Sequence, residues 1–423
     1  MLSLLPCELW DFGPGDLFRG LTTAFSARRQ DAEGVLHIPE IGPCLPARTA
    51  RVAIVLALKA LGLTDGTRIG VPLYCCPVVF KAIMAAGCRA RFIDVDPATY
   101  CLSPQDLAAK RAEVDAVIAV HMFGNLCDMP RLRASAPGVP FIEDCAQALG
   151  SRLGGRAAGT FGDVAAFSFH SGKYVSVGEG GALYASQPAL QARLSALLSP
   201  LPIPSRMDEC VHVAATFLRS SLRSKPFWGL AGERLWEMYS GTVGYTSQSP
   251  MVLTQSYETD RVATIRRLPR LDSWIDRQRS HAAYYTRTLT VHPAMLCAEP
   301  PGAFFNRLQF PLLVPTGEQC TRLASYLREH GISTTRPYRT IAAVAAEHYG
   351  YTGDCPQSER IAGTVLVIPC NHTLSGGDVE RVAACVNRAW TEIGGRPDHA
   401  TAPVPAAQES SLHETGHTEL QDR

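Results

Sequence analysis

Between Thr49 and Tyr184, short apolar runs alternate with helix-spaced segments, and this alternation limits the possible folds more than any other feature of the chain. Residues 68–71, 91–95, 116–120 and 140–142 are apolar runs of the kind that parallel strands buried on both faces require. Between them, 78–86 and 104–111 carry helical spacing. A helix opening near Thr49 runs through Val52 and Leu58 to a glycine stop at Gly62. Two further strands are predicted over 161–169 and 181–184. Strands separated by helices imply an α/β sheet wound with right-handed crossovers.

The flanks read differently. The first forty residues are expected to be irregular, with Gly13-Pro14-Gly15 as a turn. Over 198–258 the periodicity weakens, which suits an inserted helical cap or a long connection. A helix over 259–289, interrupted at Pro269, leads into a smaller α+β unit: strand 308–314, helix 319–330, strand 365–369 and helix 377–386. Residues 395–423 hold no aromatic side chain and read as a disordered tail. A chain of 423 residues suits two domains, here 1–260 and 261–394.

Composition excludes several classes of function. Forty Lys and Arg against 39 Asp and Glu give a net charge of +1, so no basic field is present to hold nucleic acid or an anionic membrane. The apolar runs are far shorter than a bilayer span, and Glu8 and Asp11 directly follow the first of them, which argues against a secretory signal. The 14 cysteines include a vicinal pair, Cys75-Cys76, but no C-x-x-C motif. They are expected to be reduced, mostly buried thiols of a cytoplasmic protein. Cys370 and His372 alone are two ligands short of a metal site, so no metal is expected.

Two nucleotide-like motifs fail on inspection. Gly178-Glu179-Gly180-Gly181 has the wrong spacing for a dinucleotide turn and precedes a strand. Ser171-Gly172-Lys173 has Tyr174 where a phosphate-binding loop needs Ser or Thr. The lysine is notable for another reason. Of the 40 basic residues only Lys59, Lys81, Lys110, Lys173 and Lys225 are lysines, and arginine cannot readily form an imine.

Asp144 ends a predicted strand at the sheet edge where α/β proteins bind ligands, and Lys173 follows after one more strand. A carboxylate and a lysine across one pocket suit pyridoxal phosphate: the acid keeps the pyridine nitrogen protonated and the amine holds the aldehyde as a Schiff base. The helix opening at Thr49-Ala50-Arg51 offers its N-terminus to the phosphate, and Ser168 adds a hydroxyl.

These segments resemble the DegT–StrS type of pyridoxal-phosphate sugar aminotransferases, a branch of the fold-type I aminotransferases. The resemblance rests on Glu143-Asp144-Cys145-Ala146-Gln147, then Phe167-Ser168-Phe169-His170-Ser171-Gly172-Lys173, then Gly178-Glu179-Gly180-Gly181. Val71-Pro72-Leu73-Tyr74, His121-Met122-Phe123-Gly124 and Pro356-Gln357-Ser358-Glu359-Arg360 add to it.

The resemblance implies a large domain with a mostly parallel sheet of the seven-stranded type and a smaller C-terminal α+β domain. It implies that Lys173 is the Schiff-base lysine and proton carrier, and that Asp144 pairs with the pyridine nitrogen. Gln147 would contact the ring or its phenolic side, and Ser168, Ala50 and Arg51 the phosphate. Cys76 stands where many members place an aromatic over the ring. His170, Arg336 and Tyr338 are substrate-side candidates, while the family's Asn-Tyr-Arg segment is not recognisable. The arginines between Arg261 and Arg279 are read chiefly as a solvated helix face paired with Asp272 and Asp276. The expected activity is transfer of an amino group from L-glutamate or L-glutamine to a keto sugar, by a homodimer. A cyclitol ketone, a lyase reaction or a cofactor-binding regulator are the alternatives.

Overall fold

The structure is a computed structural model, and it describes residues 4–8, 10–26, 34–224 and 251–394. Part of the weakly periodic stretch (225–250) and the expected tail (395–423) lie outside the described residues.

The large sheet is built from β1 (Leu36–Ile38), β2 (Gly42–Ala47), β3 (Arg68–Pro72), β4 (Arg89–Ile93), β5 (Ala116–Val120) and β6 (Phe141–Asp144). After the short strands β7 (Arg152–Leu153) and β8 (Arg156–Ala157), β9 (Val164–Ser168) and β10 (Gly181–Ala185) complete it. Its order is β1-β2-β10-β9-β6-β5-β3-β4. The pairs from β9 to β4 are all parallel, and β10, β2 and β1 add an antiparallel edge. Every residue of β5 is buried, as a strand covered on both faces must be. Helix α1 (Pro14–Ser26) is followed by α2 (Ala50–Ala60), α3 (Val78–Ala85), α4 (Pro104–Ala109) and α5 (Met129–Ser135), with α6 (Pro188–Leu198) and α7 (Arg206–Leu222) after the sheet. The sheet is therefore one strand larger than the seven-stranded type, because β1 forms a hairpin with β2.

The first forty residues correct the expectation of irregularity. Gly13-Pro14-Gly15 is a helix start, because Pro14 occupies the first turn, where its missing N–H is not needed, and Gly13 N donates to Asp16 Oδ2 at 3.1 Å. The weakly periodic stretch likewise contains α7, a 17-residue helix whose Ser205 and Asp208 form a reciprocal N-terminal cap.

The second core gathers around the antiparallel pair β12 (Phe310–Leu313) and β13 (Val365–Ile368); the short β11 (Ala303–Phe304) pairs with β7 instead. It is covered by helices Leu271–Thr288, Gly317–Glu329 and Gly376–Glu392. Leu5 joins this core across almost the whole chain: Leu5 N donates to Gly331 O at 2.8 Å, and Ser333 N donates to Leu5 O at 2.9 Å. The 259–289 helix breaks at Pro269 into Glu258–Arg267 and Leu271–Thr288.

The arginines of that region pair differently from expectation. Arg266 and Arg267 bond Asp16, Arg267 also bonds Asp11, and Arg279 bonds Glu299. These three tie separate parts of the chain together, whereas Arg261 pairs along its own helix with Glu258.

Candidate active site

The C-terminal ends of the parallel strands meet at one crevice. β3 leads into Tyr74, Cys75 and Cys76; β5 leads into His121; β6 ends at Asp144 and β9 at Ser168. Strand order reverses between β3, β4 and β5, which is where sheets of this kind open a ligand crevice.

Asp144 is 5% exposed, and its Oδ1 accepts from Ala146 N at 3.0 Å. Among the described residues its Oδ2 has no hydrogen-bond partner. Burial raises the Asp144 pKa, and the hydrogen bond from Ala146 N and the charge of Lys173 oppose the rise.

Lys173 sits on the loop between β9 and β10. The loop is closed by Lys173 N donating to His170 O at 3.1 Å and by pairing of His170 with Gly178. Gly178 has φ +115°, and a Cβ there would come within 2.6 Å of Thr216, so both conformation and space call for glycine. The Lys173 side chain is hemmed in, and desolvation lowers its pKa; Glu8, Cys76 and Asp144, in that order, act against this. Burial raises the Cys76 thiol pKa, and Lys173, Asp144 and Arg51 all act on it. Lys173, Asp144, Cys76 and Arg51 therefore share one electrostatic neighbourhood.

The cradle opposite is formed by the start of α2. Thr49 caps it, its hydroxyl accepting from Val52 N at 3.3 Å, and Ala50 and Arg51 open the helix. Gly181 lets β10 lie against this helix start: a Cβ there would be 2.7 Å from the Thr49 carbonyl carbon and 2.8 Å from Ala50 N. The positive end of the α2 dipole thus faces the same edge as Ser168, whose Oγ accepts from His170 N at 3.4 Å. These features fit pyridoxal phosphate: a buried carboxylate with an open oxygen, a desolvated lysine and a helix start.

The remaining predicted residues divide. Gln147 Oε1 accepts from Phe123 N at 3.0 Å and so supports a turn in which Phe123 has φ +61°. His170 donates from Nδ1 to Ser171 O at 2.9 Å, and burial lowers its pKa. The Tyr338 ring lies 5.6 Å from that of Tyr74, on the loop that carries Cys76. Arg336 is turned into the smaller unit, donating to Thr321 Oγ1 at 2.9 Å and to Gly363 O.

Sequence reasoning left two groups without a role. The first is Glu143 beneath Asp144, wholly buried, which accepts from His121 Nε2 at 3.0 Å, Gly159 N at 2.8 Å, Phe161 N at 2.6 Å and Gly162 N. Because His121 Nδ1 accepts from Cys127 N at 3.1 Å, the ring must donate from Nε2. His121, Glu143 and Cys145 are close enough to hold a metal ion, but these bonds already engage the histidine and the carboxylate. Cys370 and His372 are likewise engaged elsewhere: Cys370 Sγ donates to Gln278 O, and the His372 ring stacks on Trp274. The second group is the segment around Glu8 and Trp10, which carried no motif. Glu8 lines a pocket with Cys7, Lys173, Gln309, Asn371 and His372.

The profile of the DegT/DnrJ/EryC1/StrS aminotransferase family matches residues 44–201 and 259–387, more than half of the chain. The chain belongs to this family. An L-glutamine:2-deoxy-scyllo-inosose aminotransferase of Streptomyces kanamyceticus is 34% identical over 175 residues, which is 41% of this chain and 41% of that protein. The chain thus spans about two fifths of that relative's length. GDP-perosamine synthase of Escherichia coli O157:H7 is 25% identical over 344 residues, covering 81% of this chain and 84% of that one. The crystal structure of the aminotransferase TlmJ from Streptoalloteichus hindustanus superposes with a TM-score of 0.70 at 23% identity, covering 92% of this chain and all of that one, a likeness of fold. In this DegT/DnrJ/EryC1/StrS member the two matched stretches leave out 202–258, where α7 lies.

Proposed function

We propose that this chain is a pyridoxal-phosphate-dependent aminotransferase that moves an amino group from L-glutamate or L-glutamine to a ketone on a sugar or cyclitol ring. The observation that carries the reading is the crevice itself, where Lys173 and Asp144 lie in one electrostatic neighbourhood facing the start of α2. The names of the relatives supply the substrate class, since one aminates a cyclitol ketone and another is a synthase of a GDP-linked sugar.

When bound, the cofactor supplies an electron sink that stabilises negative charge on the carbon bonded to the migrating nitrogen. Lys173 Nζ holds its aldehyde between turnovers and, once free, takes and returns the proton at that carbon. Burial suits the amine to this task, because a lowered pKa leaves a larger neutral fraction able to accept a proton. Asp144, whose Oδ2 accepts no other bond among the described residues, would hold the ring nitrogen in its protonated form when the cofactor is bound. Ala50 and Arg51 at the helix start, with Ser168, bind the phosphate. Gln147 keeps the 122–124 turn in place by accepting from Phe123 N.

The same reading places a large cofactor-holding domain over 1–260 and a smaller domain over 261–394. It also makes the enzyme a homodimer. Phe18 and Phe25 on α1 are exposed, as are Met207, Val211 and Leu218 on the adjoining α7, and these two stripes suit a second copy. No described helix is long and apolar enough to cross a membrane, and all 14 cysteines are unpaired, which supports a reducing, cytoplasmic setting.

The test is direct. Protein loaded with pyridoxal phosphate and mixed with L-glutamate should lose its Schiff-base absorption and release 2-oxoglutarate, and then aminate a ketone from a panel of free and nucleotide-linked keto sugars and inososes. Lys173→Ala should do neither. Turnover by Lys173→Ala, or an unchanged spectrum of the wild type with both donors, would overturn the reading.

A further inference from the structure

Glu8 and its neighbour Cys7 line the Lys173 pocket from the N-terminal segment. Leu5 is fixed to the smaller unit by its two backbone bonds at residues 331 and 333, and Cys7 Sγ donates to Val367 O at 3.4 Å. Beyond the pocket the chain enters α1, which packs on α7. Between these anchors, Arg223 at the end of α7 donates from Nη1 to Glu8 Oε2 at 3.1 Å, with its guanidinium 4.1 Å above the Trp10 ring. The Arg223 side chain is only 9% exposed. Trp10 in turn meets His170 edge-on at 6.1 Å.

The Lys173 loop approaches this clamp through a glycine. A Cβ on Gly172 would lie 3.8 Å from Glu8 Oε2 and 3.7 Å from Trp10 Nε1, so the carboxylate sits one residue from the lysine. Among the described residues Glu8 Oε1 has no hydrogen-bond partner, which leaves it to the pocket that both residues line.

We infer that Glu8 is a positioning residue of this site: carried in by the N-terminal segment and clamped by Arg223, its carboxylate is the counter-ion that holds and orients Lys173 Nζ from the side away from Asp144. The inference rests on the reading of Lys173 as the amine that moves protons. The titratable and charged groups around that amine are Glu8 from the N-terminal segment with its partner Arg223 from α7, Arg51 from the start of α2, Cys76 from the loop after β3, Asp144 from β6, His170 on its own loop and His372 across the pocket. Of these, Glu8 exerts the largest effect that favours the charged amine, ahead of Cys76 and Asp144. Asp144 is spoken for when its Oδ2 meets the pyridine nitrogen. Glu8 gives one oxygen to Arg223 and keeps Oε1 for the pocket.

The test is the pH dependence of Lys173 acylation by acetic anhydride in cofactor-free protein, followed by mass spectrometry of the peptide that contains it. Glu8→Gln keeps the shape and removes the charge, so the midpoint for Lys173 should fall by about one pH unit and the rate at neutral pH should rise several-fold. Glu8→Asp should return the midpoint most of the way to the wild-type value, which loss of packing alone would not do. In the loaded enzyme, the alkaline-going change of the Schiff-base spectrum should move in the same direction. A Glu8→Gln profile that superposes on the wild type, or a shift that Glu8→Asp does not reverse, overturns the inference. Acylation needs no donor or acceptor, so failure of the wild type to react with L-glutamate would sink the proposed function without being mistaken for a failure of Glu8.

Discussion

Glu143→Gln gives a severe test of how the floor of the site is built. Each oxygen of Glu143 accepts two donors: His121 Nε2 and Gly159 N on Oε2, Phe161 N and Gly162 N on Oε1. Glutamine keeps the shape but turns one acceptor into an NH2 group, which then faces two N–H donors whichever way the amide is turned. Histidine cannot rescue the arrangement. If His121 moved its proton to Nδ1 to free Nε2 as an acceptor, that proton would face the Cys127 N–H now 3.1 Å away. Two buried donors therefore lose their acceptor. At about 1–3 kcal/mol for each, the loss is about 2–6 kcal/mol, a large share of the ~5–15 kcal/mol that holds most domains folded. Urea unfolding of the cofactor-free protein, extrapolated linearly to water, measures it. A loss below about 1 kcal/mol would contradict this, because it would mean that these N–H groups find other partners.

Three further outcomes are expected. Burial holds the His372 pKa down at about 4, well below the usual histidine value near 6.5, so its neutral form stabilises the fold above that range and the contribution is lost as pH falls through the folded value. Wild type should lose about 3 kcal/mol more than His372→Asn between pH 6.5 and 4, and parallel acid limbs in unfolding titrations would contradict this. Arg48 bonds Glu179 at 2.6 Å and the Tyr257 hydroxyl at 2.7 Å, so Arg48→Ala should cost about 2–4 kcal/mol near neutral pH. Burial alone would raise the Glu179 pKa, but Arg48 outweighs it and holds the value down; the gap between variant and wild type should therefore narrow below about pH 4, and a gap constant with pH would be the contrary result. Gly181→Ala forces a methyl group against the Thr49 and Ala50 backbone, so it should destabilise by about 1–3 kcal/mol and weaken pyridoxal phosphate binding tenfold or more, as read by equilibrium titration; wild-type affinity would show that the α2 start does not hold the phosphate.

What could be read from the residues alone follows from how local the signal is. β5 and α2 announce themselves because burial on both faces makes a strand apolar throughout and a capping Thr49 marks a helix start. The crevice was legible through Asp144 and Lys173 because parallel strands carry their functional ends to one edge. α1 was missed because Gly13-Pro14-Gly15 is equally good turn and helix-start chemistry, and only Asp16 reaching back to Gly13 N decides between them. Glu143 stood in the motif but had no assignable role, since its partners at Gly159, Phe161 and Gly162 come from a loop whose return no periodicity encodes. Glu8 was invisible for the same reason on a larger scale: its neighbours Arg223 and Gly172 are brought to it by the whole fold.

The backbone bonds that seat Leu5 beside Ile332 also set an order of events at the ribosome. More than three hundred codons separate the two positions, and at about 5–20 residues per second the leading strand waits roughly 15–65 seconds for its partner to be made. The parallel sheet can form during that interval, but the acid beside the lysine arrives only with the final stitch. In a newborn copy that side of the crevice therefore stays open until a segment made early meets a partner made late.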